Sequence, residues 1–571
     1  MVCLWISDAA TGERDVADWP AFSGARGPIC RIVWEMLARL SLIAAVLLLA
    51  ALALAVRVNG LDWRDGDLST DEARLALAAK GVLATGLPIL PSGRLYTRGL
   101  VPIYATAPSL AVFGVHDWSA RLPSVVAGVL LVPAVFLLAS AVGGAVPGLT
   151  AAAFVVVAGP LVVWSRQAWP PATFLLLFTL TAYAGYRGFG GPGQDRPRWQ
   201  LAAAVGFLLT LLAYELAMIL PAGLGLYLLG RALRRDVGWW HGRTTLLAGA
   251  VALAAVGLLA ALGLALRAGT LAGADSEFRH YFTPALRLTG LDFYWRQGWS
   301  ASLPLVLLAV AGALWCRGGN QRLPPGLWYL LSLLVVALLV PTFIIQDKQE
   351  QQYGLAVLPL AAALGAWGVA ALTGLTAVNP SPPNPLSLTN DGAPPYGPPR
   401  VKRERGRVLL VAALALASFG AILLPDIVSA ARPPALSRAP TWLDDLRAKG
   451  WQPEDQTALV LAEAPLVSAL YLDRADFYIH PEGYERYAYQ DGPVARSLYT
   501  PAVLLKEAGD FERFVGGPHA GRTLWVIGQD DRLPRLTQQM DPRLWERLQA
   551  ASGVTRPTRG WWIMRLELPP R

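Results

Sequence analysis

Charge is scarce in this sequence. Asp, Glu, Lys and Arg make up 16% of its 571 residues, against about 25% in an ordinary soluble chain. The deficit is local: the blocks 40–56, 124–142, 246–266 and 408–424 contain no charged residue at all. Runs of roughly 17–25 apolar residues match the hydrocarbon thickness of a bilayer, where a helix satisfies its own backbone. Cysteine is equally sparse. Cys3, Cys30 and Cys316 have no CxxC spacing and none lies in the polar C-terminal region, which excludes a disulfide framework and a cysteine-ligated metal site. Walker, HExxH and GxSxG motifs are missing. So is GxGxxG, leaving no visible dock for a cytosolic nucleotide sugar. The polar stretch of mixed charge before the first apolar block is unlike a signal peptide. No repeat of the two halves is apparent, which speaks against the usual architecture of a secondary transporter.

What is present predicts a polytopic α-helical membrane protein with about eleven spans, near 38–58, 119–142, 148–164, 171–187, 200–215, 216–232, 244–267, 301–316, 326–345, 353–374 and 408–425. Basic residues gather in alternate loops: Arg187, Arg196 and Arg198; Arg231, Arg234, Arg235 and Arg243; Arg317 and Arg322; then Arg400 to Arg407. The positive-inside rule makes that side cytoplasmic, with the N-terminus inside and the C-terminus outside a plasma (inner) membrane. The formal net charge of +9 is accounted for by these loops, and no nucleic-acid partner is expected. Residues 1–37 read as a disordered cytoplasmic segment, and Met1 and Met36 are both candidate starts of translation. Residues 38–425 form the membrane module, with outer loops 59–118 and 268–300 and a Pro-rich cytoplasmic linker at 375–400. Residues 426–571 alternate strand-like and helix-like stretches: strands at 458–463, 476–479, 523–529 and 561–568, helices at 465–472 and 501–515. That alternation predicts an extracytoplasmic α/β domain.

The chemistry gathers on the outer side. Asp71 and Glu72 follow Ser69 a few residues beyond the first span. Ser69 with Glu72 is a capping box, and both acids favour a helix start. A carboxylate there also suits the deprotonation of a hydroxyl acceptor, and a capped helix holds it rigidly. Glu215, beside Tyr214, is an acid close to apolar spans, which is expensive unless it serves a purpose or reaches interfacial water. The loop 268–300 carries Arg279, His280, Tyr281, Trp295 and Arg296. Arginines pair with phosphate and aromatics offer faces to sugar rings; an interfacial aromatic belt with snorkelling cations has the same composition.

In order along the chain come Asp71-Glu72-Ala73, Gly86-Leu-Pro, Tyr96-Thr-Arg98-Gly99, Phe113-Gly and Ala120-Arg-Leu-Pro-Ser. As an ordered set these resemble the GT-C superfamily of polytopic glycosyltransferases. The resemblance is to the branch of protein O-mannosyltransferases and bacterial aminoarabinose or other polyprenyl-phosphate-sugar transferases, and it covers the first third of the chain best. It implies Asp71 as the catalytic carboxylate, with Glu72 orienting acceptor or donor, and Arg98 with Tyr96 at the lipid phosphate; a snorkelling role for Arg98 stays open. Arg121 is expected to anchor the second span. Trp164-Ser-Arg166-Gln-Ala-Trp169 is similar to the family's S-R-x-A-R, with Trp169 at the second basic position, which leaves Arg166 as the cation of this stretch for the donor phosphate. Gln351-Gln-Tyr353 resembles its R-Y entry to a late span, with Gln352 at the basic position, so phosphate contact falls to Tyr353 or Lys348.

The implied function is transfer of a hexose or pentose, with inversion, from a polyprenyl-phosphate donor to a protein, lipid or glycan acceptor outside the membrane. No cofactor is firmly implied. A divalent metal is possible by resemblance, although no ligand cluster demands one and no metal site is assigned. Two other readings are a lipid or solute transporter or flippase, and a non-catalytic membrane scaffold with an outer binding domain. The first wants charges deep within several spans, which the apolar blocks lack.

Overall fold

A computed structural model describes residues 28–59, 68–190, 196–267, 289–296, 300–318, 323–343, 351–373, 459–462, 465–479, 488–529, 541–549 and 561–570, with a few isolated positions besides. The span expected at 408–425, the linker at 375–400, and Arg279, His280, Tyr281 and Lys348 lie outside these residues. Two compact units divide at Leu48 and Leu49. In the first, the described part is the beginning of α1 (Pro28–Val58); everything below concerns the second.

Helices stand at the other ten expected positions. After α1 come α2 (Thr70–Thr85), α3 (Leu100–Phe113), α4 (Asp117–Gly143), α5 (Ala145–Val157) and α6 (Gly159–Ser165). Next follow α7 (Pro170–Gly185), α8 (Arg196–Ala213), α9 (Ile219–Leu233), α10 (Arg243–Arg267) and the short α11 (Thr289–Tyr294). The bundle closes with α12 (Ser300–Gly318), α13 (Pro325–Phe343) and α14 (Val357–Thr373). Among the described residues five helices are long and apolar enough to cross a membrane, or six if α5 and α6 count as one span bent by 61°. The chain is a polytopic helical membrane protein. α2 and α3 fall within what the sequence marked only as an outer loop.

The bend between α5 and α6 has a chemical cause. Pro160 has no N–H for the Val156 carbonyl, and the ladder opens at Ala158. A freed carbonyl in an apolar interior is costly unless another donor reaches it. Arg57, fully buried, supplies those donors: its guanidinium reaches the carbonyls of Val155 at 3.1 Å and Val156 at 3.3 Å, and its Nε donates to Ser165 Oγ at 2.9 Å. Gly128 leaves room for it, since a Cβ there would stand 2.4 Å from Ser165 Cβ and 2.9 Å from Arg57 Nε.

The C-terminal residues form a seven-stranded sheet in the order β3-β4-β5-β2-β1-β6-β7. Its strands are β1 (Leu459–Ala462), β2 (Phe477–Ile479), β3 (Ala488–Asp491), β4 (Val494–Ser497), β5 (Val503–Leu504), β6 (Thr523–Gln529) and β7 (Trp561–Glu567). The centre, β5-β2-β1-β6, is parallel, and the strands β3, β4 and β7 toward the two edges pair antiparallel. Side chains alternate between faces along each strand. Phe477, Ile479, Val526, Trp562 and Met564 pack with Leu544 and Leu548 of a covering helix. Tyr478, Trp525, Ile527 and Ile563 share a core with Leu75, Leu90 and Ile103 of the α2–α3 region. The sheet is therefore packed onto α2 and α3. Around this shared core Lys80 pairs with Asp473 at 2.5 Å, and Ser92 Oγ donates to the Leu498 carbonyl at 2.9 Å. Where a helix was expected over 501–515, the chain makes β5 first and turns helical only from Ala508.

Candidate active site

The acidic pair opens α2. Ser69 caps that helix reciprocally with Glu72, as its sequence predicts: the Glu72 amide donates to Ser69 Oγ, and the Ser69 amide donates to Glu72 Oε2 at 2.9 Å. Neighbours in sequence, the two acids point into different surroundings. Asp71 is half exposed and pairs with Arg74 at 3.3 Å. Glu72 is buried, and its carboxylate takes both arms of the Arg121 guanidinium at 2.9 and 3.2 Å. It also accepts the Ala168 amide at 2.8 Å. Four donors surround one carboxylate, so Glu72 is a fixed post holding α2, α4 and the α6–α7 turn together. Arg121 anchors the start of α4, as expected.

That turn, Arg166–Trp169, also reaches the cationic side of the site. The Arg98 guanidinium lies 5.8 Å from the Trp169 ring centre and 5.9 Å from that of Tyr214. It pairs with Glu215 at 3.1 Å, both side chains remaining partly exposed. Gly99 makes this placement possible. Its φ of +75° belongs to the left-handed region that favours glycine, and a Cβ there would meet Pro170 Cγ at 2.9 Å. The last residue of Tyr96-Thr-Arg-Gly99 is thus a requirement of packing against α7, and it lets Arg98 sit just before α3 begins.

Residues from the late part of the chain complete the layer. Trp169 Nε1 donates to Gln352 Oε1 at 2.6 Å, and Trp164 Nε1 donates to Gln351 Oε1 at 3.1 Å. Tyr353, fully buried, stacks on Tyr214 with ring centres 6.2 Å apart and planes at 5°. Trp169 and Gln352, the two positions at which the resemblance led a base to be expected, therefore meet each other. A tryptophan N–H and an amide oxygen form a neutral pair where two cations would repel. No sequence rule pairs positions 183 residues apart, although the double departure is visible in the chain.

The remaining expected residues are dispersed. Arg166 donates to the carbonyls of Val56 at 3.2 Å and Asn59 at 2.8 Å, capping the end of α1. Tyr96 is buried in the core shared with the sheet. Trp295 and Arg296 are exposed, and Arg296 pairs with Asp292 at 3.0 Å. Reasoning from the sequence did not find Arg57, Trp169 or Gln352 as members of these networks. For Arg57 the available signal was an arginine at the end of an apolar block combined with a proline inside a later one. No group of three or more His, Cys, Asp or Glu stands close enough to hold a metal among the described residues. The donor set does not fit a resident cation, and no step below uses one.

The profile of the Dolichyl-phosphate-mannose-protein mannosyltransferase family matches residues 97–260. Among solved structures the chain is similar to ArnT from Cupriavidus metallidurans in the apo state, with a TM-score of 0.53 and 16% identity over 91% of this chain and 97% of that one. It is similar also to ArnT from the same organism bound to undecaprenyl phosphate, at 0.52 and 15% over 93% and 98%. The archaeal oligosaccharyltransferase AglB from Archaeoglobus fulgidus, in complex with an inhibitory peptide and a dolichol-phosphate, matches at 0.51 and 11% over 92% and 74%. No curated protein matches by sequence. The chain shares the fold of ArnT and AglB. The likeness to ArnT extends over nearly the full length of both chains.

Proposed function

We propose that this chain transfers a sugar from a polyprenyl-phosphate donor to an acceptor on the outer side of the membrane, with inversion at the anomeric carbon. The acceptor hydroxyl oxygen attacks that carbon, and its proton passes to the Asp71 carboxylate. The bond from the anomeric carbon to the phosphate oxygen breaks, and its electron pair leaves on the polyprenyl phosphate. Arg98 meets the charge that develops there, a donor set in place before the reaction. Glu215, Trp169 and Tyr214 hold the guanidinium in orientation, and Tyr353 backs Tyr214 by stacking. Glu72 acts through position: tied to Arg121 and Ala168, it fixes the helix start that presents Asp71. In this reading the N-terminus is cytoplasmic, and the sheet region lies on the side of Asp71.

The observation that carries the proposal is that two adjacent residues of the α6–α7 turn reach Glu72 and Arg98. Ala168 holds Glu72, and Trp169 lies under Arg98. One rigid element thus couples the acidic helix start to the cation. Purified protein in liposomes with radiolabelled undecaprenyl-phosphate sugars and an extract of acceptors tests it. The expected result is release of undecaprenyl phosphate with label moved to acceptor, and a drop of about 10²–10⁴-fold in Asp71→Asn, the usual worth of a general base. Full turnover in D71N removes Asp71 from that role.

A further inference from the structure

A second feature lies at the far end of the bundle. α7 begins at Pro170, against the glycine beside Arg98, and runs 15 steps to Gly185, about 22 Å at 1.5 Å per residue. There a cavity of about 230 Å³ opens between α7, α8, α9, α10 and α13. Phe189, Phe207, Leu224, Leu228 and Ala252 give it an apolar lining. Most of its polar groups are engaged within the protein, Trp239 Nε1 being buried without a partner. Tyr329 Oη donates to the Ala182 carbonyl at 2.8 Å. Gln200 Nε2 donates to the Trp239 carbonyl at 2.8 Å, and Thr245 Oγ1 donates to Gln200 Oε1 at 3.0 Å. Beside that one N–H, the lining offers a guest hydrocarbon contact. An apolar cavity of about 150 Å³ already admits benzene, so this one takes a stretch of alkyl chain.

The rim of the cavity is cationic. Arg231 donates to the carbonyl of Phe189, itself a lining residue, and Arg196 donates to the Gly238 carbonyl at 2.8 Å, next to the lining Trp239. Arg234 and Arg235 are exposed, as is Arg243, two residues before the lining Thr245. In the described segments 186–190, 196–200 and 231–245 the acid is Asp236, which is taken by Arg231 at 2.6 Å. Trp199, Trp239 and Trp240 stand among these arginines, the composition of a membrane interface.

We propose that this is a site for an anionic bilayer phospholipid, with one acyl chain in the cavity and the headgroup phosphate against the arginine rim. Basic pockets between spanning helices suit such headgroups. Hydrocarbon chemistry alone would accept any lipid; the rim selects the anionic one. The distance along α7 sets the site apart from that proposed for the donor phosphate.

Native mass spectrometry of the full-length protein in detergent, titrated with phosphatidylglycerol or phosphatidylcholine, reads the site directly. The expected result is about tenfold tighter binding of phosphatidylglycerol, the equivalent of 1.4 kcal/mol. R234Q/R235Q/R243Q, all on exposed positions, is expected to abolish that preference. Gly249 lines the cavity and has open space where a Cβ would stand, so Gly249→Phe is expected to weaken both lipids at least fivefold without changing the elution volume. Equal binding of the two lipids to the unaltered protein overturns the proposal. So does a preference that survives the triple substitution. Displacement of phosphatidylglycerol by undecaprenyl phosphate, blocked in G249F, would assign the cavity to the donor instead.

Discussion

Glu72 and Arg121 form a two-armed ion pair at 2.9 and 3.2 Å, with side chains only 5% and 1% exposed. The adjacent acid, Asp71, has a side chain 50% exposed. A dipeptide of two acids is thereby divided, one residue buried in the architecture and the other open to solvent. Removing one partner of a buried pair costs about 3–5 kcal/mol because the other charge is stranded. Glu72→Gln is expected to lower the melting temperature in detergent sharply. E72M/R121M is expected to be less damaged than either single variant, yet short of the unaltered protein, since the Ser69 and Ala168 amides lose their acceptor. Unchanged melting of E72Q contradicts the assignment.

Arg98 and Glu215 separate binding from folding. Their side chains are 16% and 20% exposed, more open than those of Glu72 and Arg121, so Arg98→Gln is expected to lower the melting temperature less than Glu72→Gln does while raising the donor KM by tenfold or more. Glu215→Gln keeps the cation but loosens its orientation, and a smaller effect on donor use is expected. Steady-state kinetics over a series of donor concentrations measures both. A donor KM unchanged in R98Q removes the phosphate role.

Arg57 holds the bent span. Arg57→Met keeps the length and removes the donors, leaving the Val155 and Val156 carbonyls without the guanidinium that now reaches them. Each buried polar group left unsatisfied costs about 1–3 kcal/mol. Thermal unfolding and monodisperse yield are expected to fall together. R57M with full stability would mean that the bend is maintained by other contacts.

The sheet region carries a pH signature. Burial and the neighbouring Arg522 hold the His519 imidazole below its ordinary pKa, and the ring meets Phe477 edge-on at 5.7 Å. The unfolded chain takes up the proton first on acidification, so the stability contributed by neutral His519 is present above about pH 6.5 and is lost as pH falls through the lower folded value. His519→Phe is expected to flatten the loss of melting temperature between pH 7 and 5 relative to the unaltered protein. Parallel curves for the two proteins contradict this.

Helix positions were legible because a bilayer leaves few alternatives: an apolar run of sufficient length must be helical. Asp71, Glu72 and Ser69 were legible through capping chemistry, which acts over three residues. Partnerships over long separations were not. Nothing local links Glu72 with Arg121 or Ala168, or Trp169 with Gln352, because those contacts depend on how the helices pack. The hairpin β3–β4 was a missed local signal, with Asp491-Gly492 at its turn and Gly492 at φ +56°, the sort of glycine a tight hairpin favours. β5 is too short, at two residues, to declare itself. Its strand character comes from pairing with β2 and β4.

A structure of the protein with undecaprenyl phosphate, determined by cryo-electron microscopy in nanodiscs, bears most directly on the central claim. The account expects the phosphate within hydrogen-bonding reach of Arg98, with open space leading from it to the Asp71 carboxylate. A phosphate bound away from Arg98, or side chains closing the route to Asp71, would contradict it.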